Sequence, residues 1–246
     1  LEHHLSDLIL GQSDKVMLQQ MMDESTVGCY GAALNFGGIM FTLFTALNNS
    51  WCPFFFEDMK QGNRESLREK AGNFLELFTV LSVGFVLLAS EVYRYVYVSR
   101  DFWGSTMLIP IFVSSYYTNF LCTFPVNFEY YHKKTKVVSI ITIVSSLINV
   151  GLNYLLILRI GMAGAAVATL ISHSLQLTLH YLYVRFALGG KEYPFPLKMW
   201  VGYAAVFAAV AVASVAADGL WLARWGLGAA VGLWELLRIR KRKVLI

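Results

Sequence analysis

An all-α fold, a polytopic membrane helix bundle of about eight transmembrane helices, is what this sequence predicts, on three observations. Of its 246 residues, 57% are hydrophobic and only 15% charged, against about 25% charged in an average soluble domain. Uncharged runs long enough to cross a bilayer recur along the chain, and Lys and Arg gather in alternate connecting segments. The mean hydropathy of +0.54 excludes a disordered chain, which lacks the apolar surface to offset its ordering entropy. A net charge of +4 would suggest nucleic acid only if the basic groups shared one folded surface. They lie between apolar runs instead, so no nucleic-acid partner is expected. Cys29, Cys52 and Cys122 are odd in number and lack CxxC spacing, which reads as small buried hydrophobes rather than a disulfide framework or a zinc site.

Crossing about 30 Å of hydrocarbon takes about 20 mostly apolar residues. The first 22 residues are amphipathic rather than apolar. On a helical wheel His3, His4, Asp7, Gly11, Gln12, Asp14, Lys15 and Gln19 fall on one half, and Leu5, Ile9, Leu10, Ser13, Val16, Met17 and Met21 on the rest. Such a helix either lies in the membrane interface or spans with its polar face on a watery cavity. Residues 26–51, 137–158 and 199–217 carry no charge, and 162–184 carries only His173 and His180. Residues 103–124 are uncharged but include Pro110, which neighbouring helices can accommodate. Segments 74–98 and 220–237 hold Glu76, Glu91, Arg94, Arg224 and Glu235 near their ends, where long side chains reach the interface.

Lys60, Arg64, Arg68 and Lys70, then Lys133, Lys134 and Lys136, then Arg185, Lys191 and Lys198, then the basic cluster 238–243 make up fifteen of the twenty basic residues. The positive-inside rule puts these segments, and both ends of the chain, in the cytoplasm. The turn at Asp23, Glu24 and Ser25 is then outside, which favours a spanning first helix. With Leu1 in place of Met and no basic n-region, the chain reads as a fragment without a signal peptide.

Three stretches carry a family resemblance. Ser13-Asp14-Lys15 followed by Val27-Gly28-Cys29-Tyr30 resembles the opening of the second half of bacterial O-antigen and capsular polysaccharide flippases, where Ser-Asp-Arg/Lys precedes Val-Gly-x-Tyr. Residues 46–53, a small-residue stretch ending at Pro53 before a basic loop, look like their second-lobe pattern. Asn149, Leu152, Asn153, Gly161, Gly164, Ala165, Ala166, Ala168 and Thr169 are similar to the family's N-x-x-L-N-x-x-L-I-P-x-x-G-x-x-G-A-A-x-A-T, with Arg159 standing in its Pro region. The resemblance covers most of residues 5–187. It implies the second lobe of a transporter of the multidrug/oligosaccharidyl-lipid/polysaccharide exporter superfamily. Residues 1–190 would form a six-helix bundle, and 191–246 two additional helices with a basic cytoplasmic tail; an N-terminal lobe would be missing from this chain. The implied activity is that of a flippase in the bacterial inner membrane, not an enzyme. It would move an undecaprenyl-diphosphate-linked oligosaccharide by alternating access, among membrane lipids, with no bound cofactor and with coupling to a H+ or Na+ gradient.

A diphosphate and a hydrated glycan need a polar path, and ionisable groups at membrane depth cost about 2.5–3.5 kcal/mol on insertion scales. Asp14, Lys15, Asp7, Gln12, Gln19 and Asn35 are therefore the expected cavity residues. Lys15 would attract the diphosphate, and Asp14 would bind a coupling cation or set its neighbours' pKa. A structural ion pair at Asp14 and Lys15 is the competing account, and His3 with Asp7 reads as an interfacial pair. Glu91 and Arg94, three residues apart, read as a salt bridge. Asn48, Asn49, Asn149 and Asn153 read as interhelical hydrogen bonders. His173 and His180 read as lone imidazoles without a carboxylate or Cys at ligand spacing. Gly161 and Gly164 suit close helix packing after a tight turn. The rival functions are a cation-coupled multidrug exporter of the same superfamily, a membrane enzyme of polysaccharide assembly, and a non-transporting scaffold.

Overall fold

The computed structural model describes residues 13–97, 99–188, 192–216 and 219–242. Among them the chain is helical throughout: α1 (13–21), α2 (Glu24–Gln61), α3 (Arg64–Val96), a 3-10 stretch (Arg100–Ser105), α4 (Leu108–Tyr131), α5 (Thr135–Ile160), α6 (Met162–Phe186), α7 (Leu197–Ala216) and α8 (Trp221–Arg242). Five of these, α2, α3, α5, α6 and α7, are long and apolar enough to cross a membrane. The 38 residues of α2 extend about 57 Å at 1.5 Å per residue, well beyond the hydrocarbon.

Local chemistry sets the ends. Asp23 caps α2 by accepting from the Thr26 backbone N–H at 2.8 Å and from the Thr26 hydroxyl at 2.9 Å. These bonds hold the Asp23 carboxyl below the usual carboxylate range. Gly62, with φ of 71°, closes α2 in the left-handed region that glycine tolerates. The helix runs through Pro53 to Gln61, so the small-residue stretch does not end at that proline. Pro110 falls in the first turn of α4, where its missing N–H is an orphan anyway. Residues 100–105 form the 3-10 stretch, so the span expected at 103–124 is shifted toward Tyr131, and Pro125 is the proline inside it.

α5 and α6 are ordered inside out relative to the helices of a soluble bundle. α5 buries Thr142, Ser145, Asn149 and Asn153 along one stripe and exposes Ile143, Leu147, Leu155 and Leu158. α6 answers with Gly164, Ala165, Ala168, Ser172 and Gln176. Small and polar residues inside with large aliphatics outside is what lipid selects, because lipid gives apolar surfaces no reason to associate. Gly161, with φ of 60°, is the single residue between α5 and α6. A Cβ on Gly164 would stand 2.3 Å from the Leu156 carbonyl, so the two backbones meet there directly.

An aromatic layer joins α2, α3 and α4. Phe78 and Phe120 lie 4.3 Å apart, and Phe44 approaches both edge-on at 6.2 Å. Tyr117 stacks on Phe207 at 4.3 Å, which seats α7 on α4. α7 and α8 pack chiefly on α3.

Gly164→Ala is expected to lower stability by about 1–3 kcal/mol through overpacking. Gly84→Ala, where nothing lies within 4 Å of the added carbon, is expected to leave stability unchanged or slightly raised. Thermal unfolding in detergent by size exclusion reads both, and equal losses would contradict the close α5–α6 approach.

Candidate functional site

α1 presents Asp14 and Leu18, one turn apart, to the bundle; Asp14 is 3% exposed. Its carboxylate accepts from the Tyr30 hydroxyl of α2 at 2.9 Å, from the Thr169 hydroxyl of α6 at 2.8 Å, and from the Asn153 amide of α5. The same amide also donates to Asn149 Oδ1 at 3.1 Å. Asn153 Oδ1 is buried and makes no hydrogen bond, so an unused acceptor sits one amide away from the carboxylate. The cluster is a buried anion held by neutral donors from three other helices. Its oxygens, from carboxylate, amide and hydroxyls, form a hard donor set suited to a small cation. Among the described residues no group of three His, Cys, Asp or Glu could hold a metal ion.

Asp14 and Thr169 form part of the wall of a cavity of about 470 Å³ between α2, α4 and α6. Asn35, Thr42, Asn119 and His173 complete its polar side, and Ile39 and Phe41 contribute apolar surface. His173 donates from Nδ1 to the Ser115 carbonyl at 3.1 Å, which holds that ring against α4. No Lys or Arg among the described residues lines this space.

Asp14 and Asn35 thus meet at one cavity, whereas Lys15 and Gln19 lie elsewhere. Lys15 is half-buried with its stem near Gly31, and Gln19 is exposed. Asp7 and Gln12 fall outside the described residues. Val16, placed with the apolar half of the wheel, is 51% exposed. An apolar side chain on the outer side of a bundle that faces lipid agrees with that division, whereas Gln19 of the polar half is exposed as well. Asp14 turns inward because three helices supply donors, and Val16 turns outward.

Two further pairs differ from expectation. Glu91 does not pair with Arg94. It accepts from Arg224 of α8 and, at 3.4 Å, from Trp225 Nε1. Arg224 is 3% exposed and also donates to Ser90 and to the Ser214 carbonyl, so it clasps α8 to α3 and α7 rather than reaching the interface. Arg94 lies 5.9 Å over the Trp103 ring. His180 is not a lone imidazole either. Its Nδ1 stands 2.9 and 3.0 Å from the two oxygens of Glu129 on α4, with both side chains fully buried. The partner is 51 residues away, so no local spacing announces it. Thr169 was available as the last residue of the quoted repeat pattern, and the Asn149/Asn153 step of four marked the buried stripe of α5.

Tyr30→Phe and Thr169→Val, each removing one donor from Asp14, are expected to cost about 0.5–1.5 kcal/mol. Lys15→Ala is expected to leave the thermal midpoint in detergent unchanged. A loss with Lys15→Ala matching that of Tyr30→Phe would contradict this arrangement.

No family model matches the sequence, and no solved structure matches it. The chain is similar to an uncharacterized membrane protein of Haemophilus influenzae, 26% identical over 149 residues, which make up 60% of this chain and 37% of that protein. The matched stretch thus spans little more than a third of that relative's length. With five helices fit to cross a bilayer and a membrane protein as relative, the chain is an all-α, multi-pass membrane protein.

Proposed function

We propose that this chain forms one lobe of an exporter of the polysaccharide flippase type in the bacterial inner membrane, with both of its ends cytoplasmic. It moves a lipid-linked oligosaccharide by alternating access against a second lobe, and it is a transporter rather than an enzyme. The observation that carries the reading is Asp14. A carboxylate held at membrane depth by neutral donors from α2, α5 and α6, on the wall of an open cavity, is expensive to maintain and therefore a functional group by default. In this reading Asp14 is the coupling-cation site. A cation entering between the carboxylate and the Asn153 and Thr169 oxygens would replace the hydrogen bonds that tie α1 to α5 and α6. Ion occupancy would thereby bias the position of α1, as population shift requires. The oligosaccharide would run along the polar wall at Asn35, Asn119 and His173, with its lipid toward the bilayer.

One observation favours a second reading. A diphosphate calls for Arg or Lys, and the described lining contains neither. An acidic, partly aromatic pocket suits a cationic drug, so a cation-coupled multidrug exporter of the same superfamily is the alternative.

The test is expression of the full-length protein in a cell lacking its own polysaccharide flippase. Surface polysaccharide is expected to return, and Asp14→Asn to reduce it by about tenfold or more with the protein still inserted. Restored resistance to cationic drugs without polysaccharide would select the second reading. Full activity of the inserted Asp14→Asn protein would remove Asp14 from the mechanism.

A further inference from the structure

The Asp14 site leaves unused a second buried ionisable pair at the opposite end of α4 and α6. Glu129 and His180 are both fully buried, and the carboxylate faces the imidazole Nδ1 with both oxygens. That geometry fixes the neutral tautomer: Nδ1 carries the hydrogen and donates to Glu129, which leaves the lone pair on Nε2. Nε2 is buried and has no hydrogen-bond partner. Unpaired buried polar atoms are costly, and in the interior of a membrane bundle an ionisable one calls for a functional account. The Tyr193 hydroxyl, on the short segment between α6 and α7, is likewise buried without a hydrogen-bond partner and lies within the field of Glu129.

We propose that Glu129 and His180 form a proton-binding site at the α4–α5 end of the bundle, with His180 Nε2 as the accepting atom. The Nε2 lone pair takes the proton, Nδ1 keeps its hydrogen, and Glu129 stays ionised and balances the imidazolium. The pair passes from a charge of minus one to zero, and no other bond changes. The ligand set suits a proton and not a metal cation, because one carboxylate and one imidazole provide too few donors to replace a hydration shell. The groups facing the pair are consistent with this charge count. Tyr193 comes from the α6–α7 segment, with Tyr181 of α6 and Cys122 of α4 beside it. From the start of α5 only the Lys134 backbone N–H reaches Glu129, at its main-chain carbonyl, at 2.9 Å. His132 stacks on Phe128 at 4.5 Å, and Phe128 lies 5.3 Å from Tyr193. No described Lys or Arg side chain pairs with Glu129.

The site also lies on a polar file. Thr169, His173, Gln176 and His180 recur at steps of three and four along α6, so they share one face. Thr169 meets Asp14, His173 meets the Ser115 carbonyl, Gln176 meets Thr142 at 3.4 Å, and His180 meets Glu129. Eleven residues of helix, about 16 Å, therefore connect the cation candidate at one depth with the proton site at another.

The experiment is a pH titration of the full chain, labelled with nitrogen-15 histidine and held in lipid nanodiscs, with the His180 resonance assigned by its absence in His180→Gln. His180 Nε2 is expected to pass from lone-pair to N–H character in a single step as the pH is lowered. In Glu129→Gln the midpoint is expected to fall by about one pH unit or more, because the neutral amide no longer stabilises the imidazolium. Nε2 that keeps one state across the whole range in the unsubstituted protein overturns the proposal, as does an unmoved midpoint in Glu129→Gln with the His173 resonance intact. The unsubstituted titration decides the first point even where a variant fails to fold. It reads no transport, so its failure is distinct from failure of the exporter reading.

Discussion

Inside a bundle that faces lipid, a carboxylate has to be met by donors, and those that meet Asp14 come from three other helices. The Tyr30 hydroxyl, the Asn153 amide and the Thr169 hydroxyl each reach it from a different direction. Any one helix drifting away leaves a buried carboxylate oxygen without its partner. This requirement fixes the rotation of α1, whose apolar residues alone would not specify which side turns inward. It also fixes the register of α5 against α6, because Asn153 and Thr169 must arrive at one height. Gly164 makes that register attainable by letting the two backbones touch, just after the one-residue turn at Gly161.

The rest of the molecule follows the same logic with different groups. The aromatic layer of α2, α3 and α4 gives those helices a packed interior that needs no polar pairing. α7 is held to α4 by the stack of Tyr117 on Phe207, and α8 to α3 and α7 by the clasp of Arg224 on Glu91, Ser90 and the Ser214 carbonyl. At the far end of α4 and α6, Glu129 and His180 form a buried hydrogen-bonded pair between those two helices. A charge is tolerated in each place because a partner arrives from another helix.

What could be read from the sequence was whatever one helix displays by itself. Hydropathy placed the stretches that fold as α2, α3, α5, α6 and α7, and the short step from Gly161 to Gly164 announced close packing. The polar stripe of α5 was visible as Asn149 and Asn153 four apart. Pairings between helices were not visible, because Glu129 with His180 and Glu91 with Arg224 join positions 51 and 133 residues apart. The wheel of α1 could not separate Asp14 from Lys15, since a wheel sorts residues by polarity and not by what the neighbouring helices offer. The expected start of α4 falls early because residues 103–107 carry no charge to bound the run, yet Arg100–Ser105 folds as a 3-10 stretch ahead of Pro110.

The central claim is that Asp14 and its oxygen neighbours are a cation site whose occupancy controls how α1 is held. The most direct measurement compares the thermal midpoint of the detergent-solubilised protein in sodium chloride and in choline chloride at equal ionic strength. A ligand present at about one hundred times its dissociation constant stabilises by about 2.7 kcal/mol. The account therefore predicts a higher midpoint in sodium, rising with sodium concentration and abolished by Asp14→Asn. Equal midpoints in the two salts, or a sodium effect that survives Asp14→Asn, would contradict it.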